Sequence, residues 1–176
     1  VQAEIINQPY SGQYKERIYD VKSPWNGREW TWIMFTDELE VKTVGQFRGS
    51  PITVRVSEKK EEIVVLTSYH TYRLNIKLDI IETADHPEFK GLEVSSCGTF
   101  IFHNSYEIEI MENSLLEMTL LESPFKMDLI EFRGWDDEKL VFECNEFANY
   151  ARKAIMVLDS TDWKIRTQKN ASQQNL

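Results

Sequence analysis

The chain has 176 residues and a mass of 20.7 kDa, enough for one domain with a sizeable core. Hydrophobic residues make up 41% and charged residues 28%, which excludes a disordered chain. With 20 basic against 29 acidic side chains the formal net charge is −9, which argues against nucleic acid or an anionic membrane as partner, since cationic side chains must meet those phosphates.

No apolar run approaches the roughly 20 residues that a membrane-spanning helix needs. Val1–Tyr10 lacks the basic and apolar regions of a retained signal peptide, and a cytoplasmic location is expected. Cys97 and Cys144 are too few for a disulfide framework and are expected to be reduced, mostly buried thiols.

Strand-like segments begin at Arg17–Val21, Trp30–Asp37 and Leu39–Phe47, an irregular first unit. Pro51, Pro87 and Pro124 then recur 36 and 37 residues apart, each shortly before a strand-like segment. Proline removes a ladder donor, so it belongs at a strand start or between sheets. The second unit reads Ile52–Val56, Glu62–Ser68, Thr71–Ile76 and Leu78–Thr83. The third reads Leu92–Ser95, Thr99–His103, Tyr106–Met111 and Leu116–Glu122. The fourth reads Met127–Phe132, Lys139–Cys144, Ala151–Leu158 and Trp163–Thr167, with Trp135-Asp136-Asp137-Glu138 as a turn. Asn145–Arg152 is one helical turn or a long hairpin connection.

The predicted fold is all-β: about four consecutive four-stranded antiparallel units of roughly 36–39 residues, a small or truncated propeller-like array. The alternative is a β-sandwich or a partly open barrel made by the same meander. The domain is expected over residues 1–167, with 168–176 a polar tail. Alternation predicts Val54, Val56, Ile63, Val65, Leu74, Ile101, Ile108, Ile110, Leu120, Ile130, Phe132, Leu140, Phe142 and Ile155 as core.

Ile63-Val64-Val65-Leu66-Thr67-Ser68 followed by Tyr72-Arg73-Leu74 resembles a propeller blade of the WD40 or quinoprotein type, and so does Leu92–Ser95 with Gly98 and Phe100-Ile101-Phe102. The likeness covers residues 52–122 and lacks the Gly-His and Trp-Asp hallmarks. The chain also resembles small bacterial proteins of unknown function. Neither likeness transfers residue roles.

The sequence holds no phosphate-binding glycine loop, no paired-cysteine or zinc-protease motif and no nucleophile elbow. No cofactor or metal is expected, and no catalytic residue is assigned. His70, His86 and His103 read as turn or edge residues. A Cys97–His103 nucleophile pair is disfavoured, because the two flank a single hairpin. Asn170-Ala171-Ser172 matches a glycosylation acceptor in the polar tail.

Charge is the informative feature. Residues 85–150 carry 15 acidic and 4 basic side chains. Glu107 and Glu109 alternate with Ile108 and Ile110, so they share a face. With Asp136, Asp137 and Glu138, and with Trp135 as an aromatic anchor, they form either an ordinary solvated face that keeps the protein soluble or, on the functional reading, a docking surface for a basic protein partner, a toxin domain being one candidate. The function expected is a non-catalytic protein-binding domain, in its sharpest form a bacterial immunity protein against a basic nuclease toxin. The alternatives are a hydrolase with a carboxylate-lined site and a structural or adaptor repeat protein. A monomer or an edge-to-edge homodimer is expected.

Overall fold

A computed structural model describes residues 1–24, 26–85 and 88–168, and these contain sixteen strands and no helix. The strands form four sheets of four. The first sheet takes β1 (Gln2–Ile6), β2 (Lys15–Tyr19), β3 (Trp30–Thr36) and β4 (Lys42–Arg48) in the order β1-β3-β4-β2. The second is the meander β5 (Pro51–Ser57), β6 (Glu62–Thr67), β7 (His70–Asn75) and β8 (Ile80–Asp85). The third runs β9 (Gly91–Val94), β10 (Phe100–His103), β11 (Ile108–Ser114) and β12 (Glu117–Leu120). The fourth runs β13 (Met127–Asp136), β14 (Lys139–Glu146), β15 (Asn149–Asp159) and β16 (Lys164–Thr167).

The sheets stack in chain order, with one apolar cluster between each consecutive pair. Ile33, Phe35 and Phe47 of the first sheet meet Ile63, Val65, Tyr72 and Leu74 of the second. Val64 and Leu66, on the other face of β6, meet Leu92, Phe100, Phe102 and Met111 of the third sheet. Ile101, Ile108 and Ile110 then meet Ile130, Leu140, Phe142, Met156 and Leu158 of the fourth. Among the described residues no such cluster joins the fourth sheet back to the first. Among the described residues no sheet closes into a barrel.

This stacking explains the residue pattern. The second and third sheets are covered on both faces, so β6 and β10 read as continuous buried runs, Ile63–Thr67 and Phe100–His103. The outer sheets alternate more strictly. In β15, Met156 and Leu158 are buried whereas Ile155 is 41% exposed.

The expected strands of the second to fourth units are present, with four differences from the sequence reading. The first sheet contains a parallel pair, β2 on β4. It also contains β1, which the pattern did not mark. Asn145–Arg152 is neither a helical turn nor a long connection. β14 runs to Glu146 and β15 starts at Asn149, leaving only Phe147-Ala148 as the turn, with Ala148 at φ 61°. Trp135 and Asp136 belong to β13, opposite Leu140 and Lys139, so the turn is Asp137-Glu138 alone.

Pro51 opens β5, and Pro124 lies between β12 and β13. Pro87, His86, the Asn170 acceptor and the tail beyond Gln168 lie outside the described residues. Of the expected core, Val56 and Phe132 are half-buried, and Leu120 and Ile155 are exposed. The remainder is buried.

Candidate functional site

In a run of antiparallel hairpins every second connection falls at the same end of the sheets. The turns after β3, β5, β7, β9, β11, β13 and β15 therefore share one end of the array, and cross-sheet bonds hold them there. Ser57 Oγ donates to the Gly98 carbonyl at 2.8 Å, joining the turn after β5 to the turn after β9. Lys60 Nζ donates to the Glu112 carbonyl at 2.9 Å, reaching the third sheet. The Ser96 hydroxyl donates to the Glu138 carboxylate. Ser160 Oγ reaches the same carboxylate at 3.0 Å and the Glu138 carbonyl at 2.9 Å.

This end is where the acids collect. Asp37, Glu38 and Glu40 lie at the turn after β3. Glu58 and Glu61 flank Lys59 and Lys60 after β5. Asp136, Asp137 and Glu138 cap the β13–β14 hairpin, and Asp159 and Asp162 cap β15–β16. Asp137 sits at φ 51°, a left-handed conformation that Asp tolerates better than most side chains. The β3–β4 turn and Glu58, with Glu4, Thr36 and Lys42, line a cleft of about 680 Å³.

Several of these carboxyls are held ionised. Hydrogen bonds from the Ser96 and Ser160 hydroxyls keep Glu138 below the usual carboxylate range. The Thr161 hydroxyl does the same for Asp159, and Arg166 for Asp162.

The six residues singled out from sequence do not form one cluster. Asp136, Asp137 and Glu138 are exposed at the acidic end. Trp135 beside them is half-buried, packs against the core between the third and fourth sheets, and has an indole N–H without a partner among the described residues. Glu107 and Glu109 lie toward the opposite end, at the start of β11 after the Asn104–Glu107 connection. Glu107 is exposed on a cleft shared with Lys126 and Leu121. Glu109 is half-buried opposite Phe102. Its burial, reinforced by Glu107 and Glu88, pushes its carboxyl above the ordinary value. Sequence reasoning missed Glu4, Asp37, Glu38, Glu40 and Glu58, because their stretch of chain is nearly neutral overall. Only the parity of the turns reveals them.

The thiols and histidines also differ from expectation. Cys144 is buried, and burial pushes its thiol up to about 11. Cys97 is exposed, not buried. Burial raises its thiol pKa, but the Ser95 and Thr99 hydroxyls outweigh that and bring it below the ordinary value. His70 and His103 are buried rather than in open turns. His70 is fixed between Asp85 Oδ1 at 3.0 Å and Asn26 Oδ1 at 2.6 Å. Cys97 precedes β10 and His103 is its last residue, so the two sit at opposite ends of that strand and form no couple.

Among the described residues no helix is long and apolar enough to cross a membrane, and no group of three or more candidate ligands gathers for a metal ion. No protein-family model matches the chain, and no curated protein matches it.

Proposed function

We propose that this chain is a non-catalytic protein-binding domain whose acidic end docks a basic protein. The observation that supports this is the convergence of the acidic turns of the first and fourth sheets, with Glu58 of the second, on one end of the array. Carboxylates fixed on rigid hairpins attract a basic surface over several ångströms and discriminate against acidic partners. Serine hydroxyls that hold Glu138 in place lower the entropy lost on docking. Trp135 lies next to the acids, where an aromatic side chain suits an anchoring role.

The most specific form of the proposal is an immunity protein. A row of carboxylates imitates a nucleic-acid backbone, so the natural target is the phosphate-binding surface of a basic nuclease toxin. Among the described residues the edge strands β8, β12 and β16 each have one unpaired side in their sheets, which would provide a second mode of contact by strand addition.

The test is affinity capture from the source cell, identification of the partner, and hydrogen exchange on the purified complex. Protection is expected in the turns around Asp37–Glu40, Glu58–Glu61 and Asp136–Glu138. Protection confined to the Asn104–Glu107 end would overturn the proposal.

A further inference from the structure

The first strands of the last three sheets come together away from the acidic end. β5 runs beside β9, and with β13 they border a cleft of about 330 Å³, a volume within the range of small-molecule sites. His103 lines it and is only 6% exposed.

The ring of His103 is held in one tautomer. Nδ1 lies 2.9 Å from the Asn104 carbonyl, which only accepts, so the proton sits on Nδ1 and Nε2 carries a lone pair. Nε2 has no hydrogen-bond partner among the described residues. The ring rests over Gly91, where an added Cβ would come within 2.1 Å of Nε2. The Phe132 ring packs against the imidazole, tilted, at 4.3 Å between centroids. Burial, with Lys90 nearby, lowers the pKa of this histidine, so the imidazole is a neutral acceptor at neutral pH.

The charges around it are unequally engaged. Arg55 and Glu93 satisfy each other through a two-pronged pair at 2.5 and 3.1 Å, and Arg55 also donates to Thr53 Oγ1. Lys90 has no carboxylate partner among the described residues and donates only to Ser105 Oγ, at 2.6 Å. Its backbone N–H donates to the His103 carbonyl at 2.7 Å, so the two residues are neighbours. Glu131, on the cleft rim, contributes negative field at His103.

A ligand that satisfies this arrangement must donate a hydrogen to Nε2, preferably from a cation, and offer an anion to Lys90 close by. We propose that this cleft binds a small zwitterion, an α-amino acid, with its ammonium on His103 Nε2 and toward Glu131 and its carboxylate on Lys90. Leu92, Ile130 and Phe132 supply an apolar wall, which favours an aliphatic side chain.

The test uses the intact chain and three probes: L-leucine, its 2-hydroxy acid analogue, which lacks the ammonium, and isopentylamine, which lacks the carboxylate. Binding is read from the imidazole C–H resonances of His103. L-leucine at millimolar concentration is expected to shift them, and each analogue to bind about tenfold more weakly, the loss of one charge-assisted contact. Lys90→Met, a surface change that leaves the core intact, is expected to weaken L-leucine by a similar factor and leave isopentylamine unchanged. Gly91→Ala is expected to abolish the shift by displacing the ring. Unmoved His103 resonances with L-leucine would overturn the proposal. So would an analogue that binds as tightly as the amino acid. The outcome is independent of protein docking, because the cleft and the acidic end share no residue.

Discussion

Arg73 shows how single residues join these sheets. Its guanidinium spans Glu62 at 2.6 Å and Glu82 at 3.4 Å, with all three side chains under one-fifth exposed. Glu82 also accepts from Ser114 Oγ and from the Leu115 N–H of the next sheet, at 2.6 and 2.8 Å. Burial raises the Glu82 carboxyl, but these donors and Arg73 outweigh it, and its pKa ends below the ordinary value. A depressed acid gives stability above its unfolded pKa, and that stability is lost as pH falls through the folded one. Arg73→Met strands two carboxylates and is expected to cost about 3 kcal/mol at neutral pH, measured by urea unfolding. The cost should shrink as pH falls through the depressed pKa of Glu82. Glu109 has the opposite sign. Its raised pKa means the folded state loses stability as pH rises from the ordinary glutamate value through the folded one. Glu109→Gln should therefore raise the urea midpoint at neutral pH and leave it unchanged well below the carboxylate range. A midpoint that falls at neutral pH would show that the carboxylate is stabilised rather than strained.

Individual strands show how far a sequence pattern reaches. Alternation identified the buried face of β11 correctly, with Ile108 and Ile110 inside and Glu107 and Glu109 away from that core. It failed in β15, where Ala154–Leu158 is an unbroken apolar run and period two cannot choose a face. Pairing decides instead: Phe142 lies opposite Met156 and Leu140 opposite Leu158, which turns Ile155 outward opposite Glu143. Leu120 and Leu121 pose the same ambiguity at the end of β12, and Leu121 is the buried one. β1 went unread because its role depends on a partner remote in sequence, β3, in the order β1-β3-β4-β2. The contrast is measurable. Phe142→Ala is expected to cost about 3–5 kcal/mol, since Phe142 is fully buried between two sheets. Ile155→Ala should cost no more than about 0.5 kcal/mol. Equal costs would mean that β15 is one residue out of register.

At the scale of the whole molecule, the net charge of −9 matters less than where the fold puts it. Along the chain the acids concentrate in residues 85–150, and that profile brackets Glu107 with Asp136–Glu138. In space the hairpins divide these residues between two ends and recruit Asp37–Glu40 and Glu58 to the second group. The sequence profile therefore located part of the candidate site and could not show its shape, because turn parity is a property of the sheets. The central claim is that the acidic end, rather than overall charge, captures the partner. The most direct measurement is stopped-flow association with the captured partner at two ionic strengths, comparing Asp136→Lys/Asp137→Lys with Glu107→Lys/Glu109→Lys, two pairs that change net charge equally. Slower association is predicted for the first pair only, with the difference shrinking as the Debye length falls from about 10 Å at 0.1 M salt to about 3 Å at 1 M. Equal slowing by both pairs, or association indifferent to salt and to both, would contradict it.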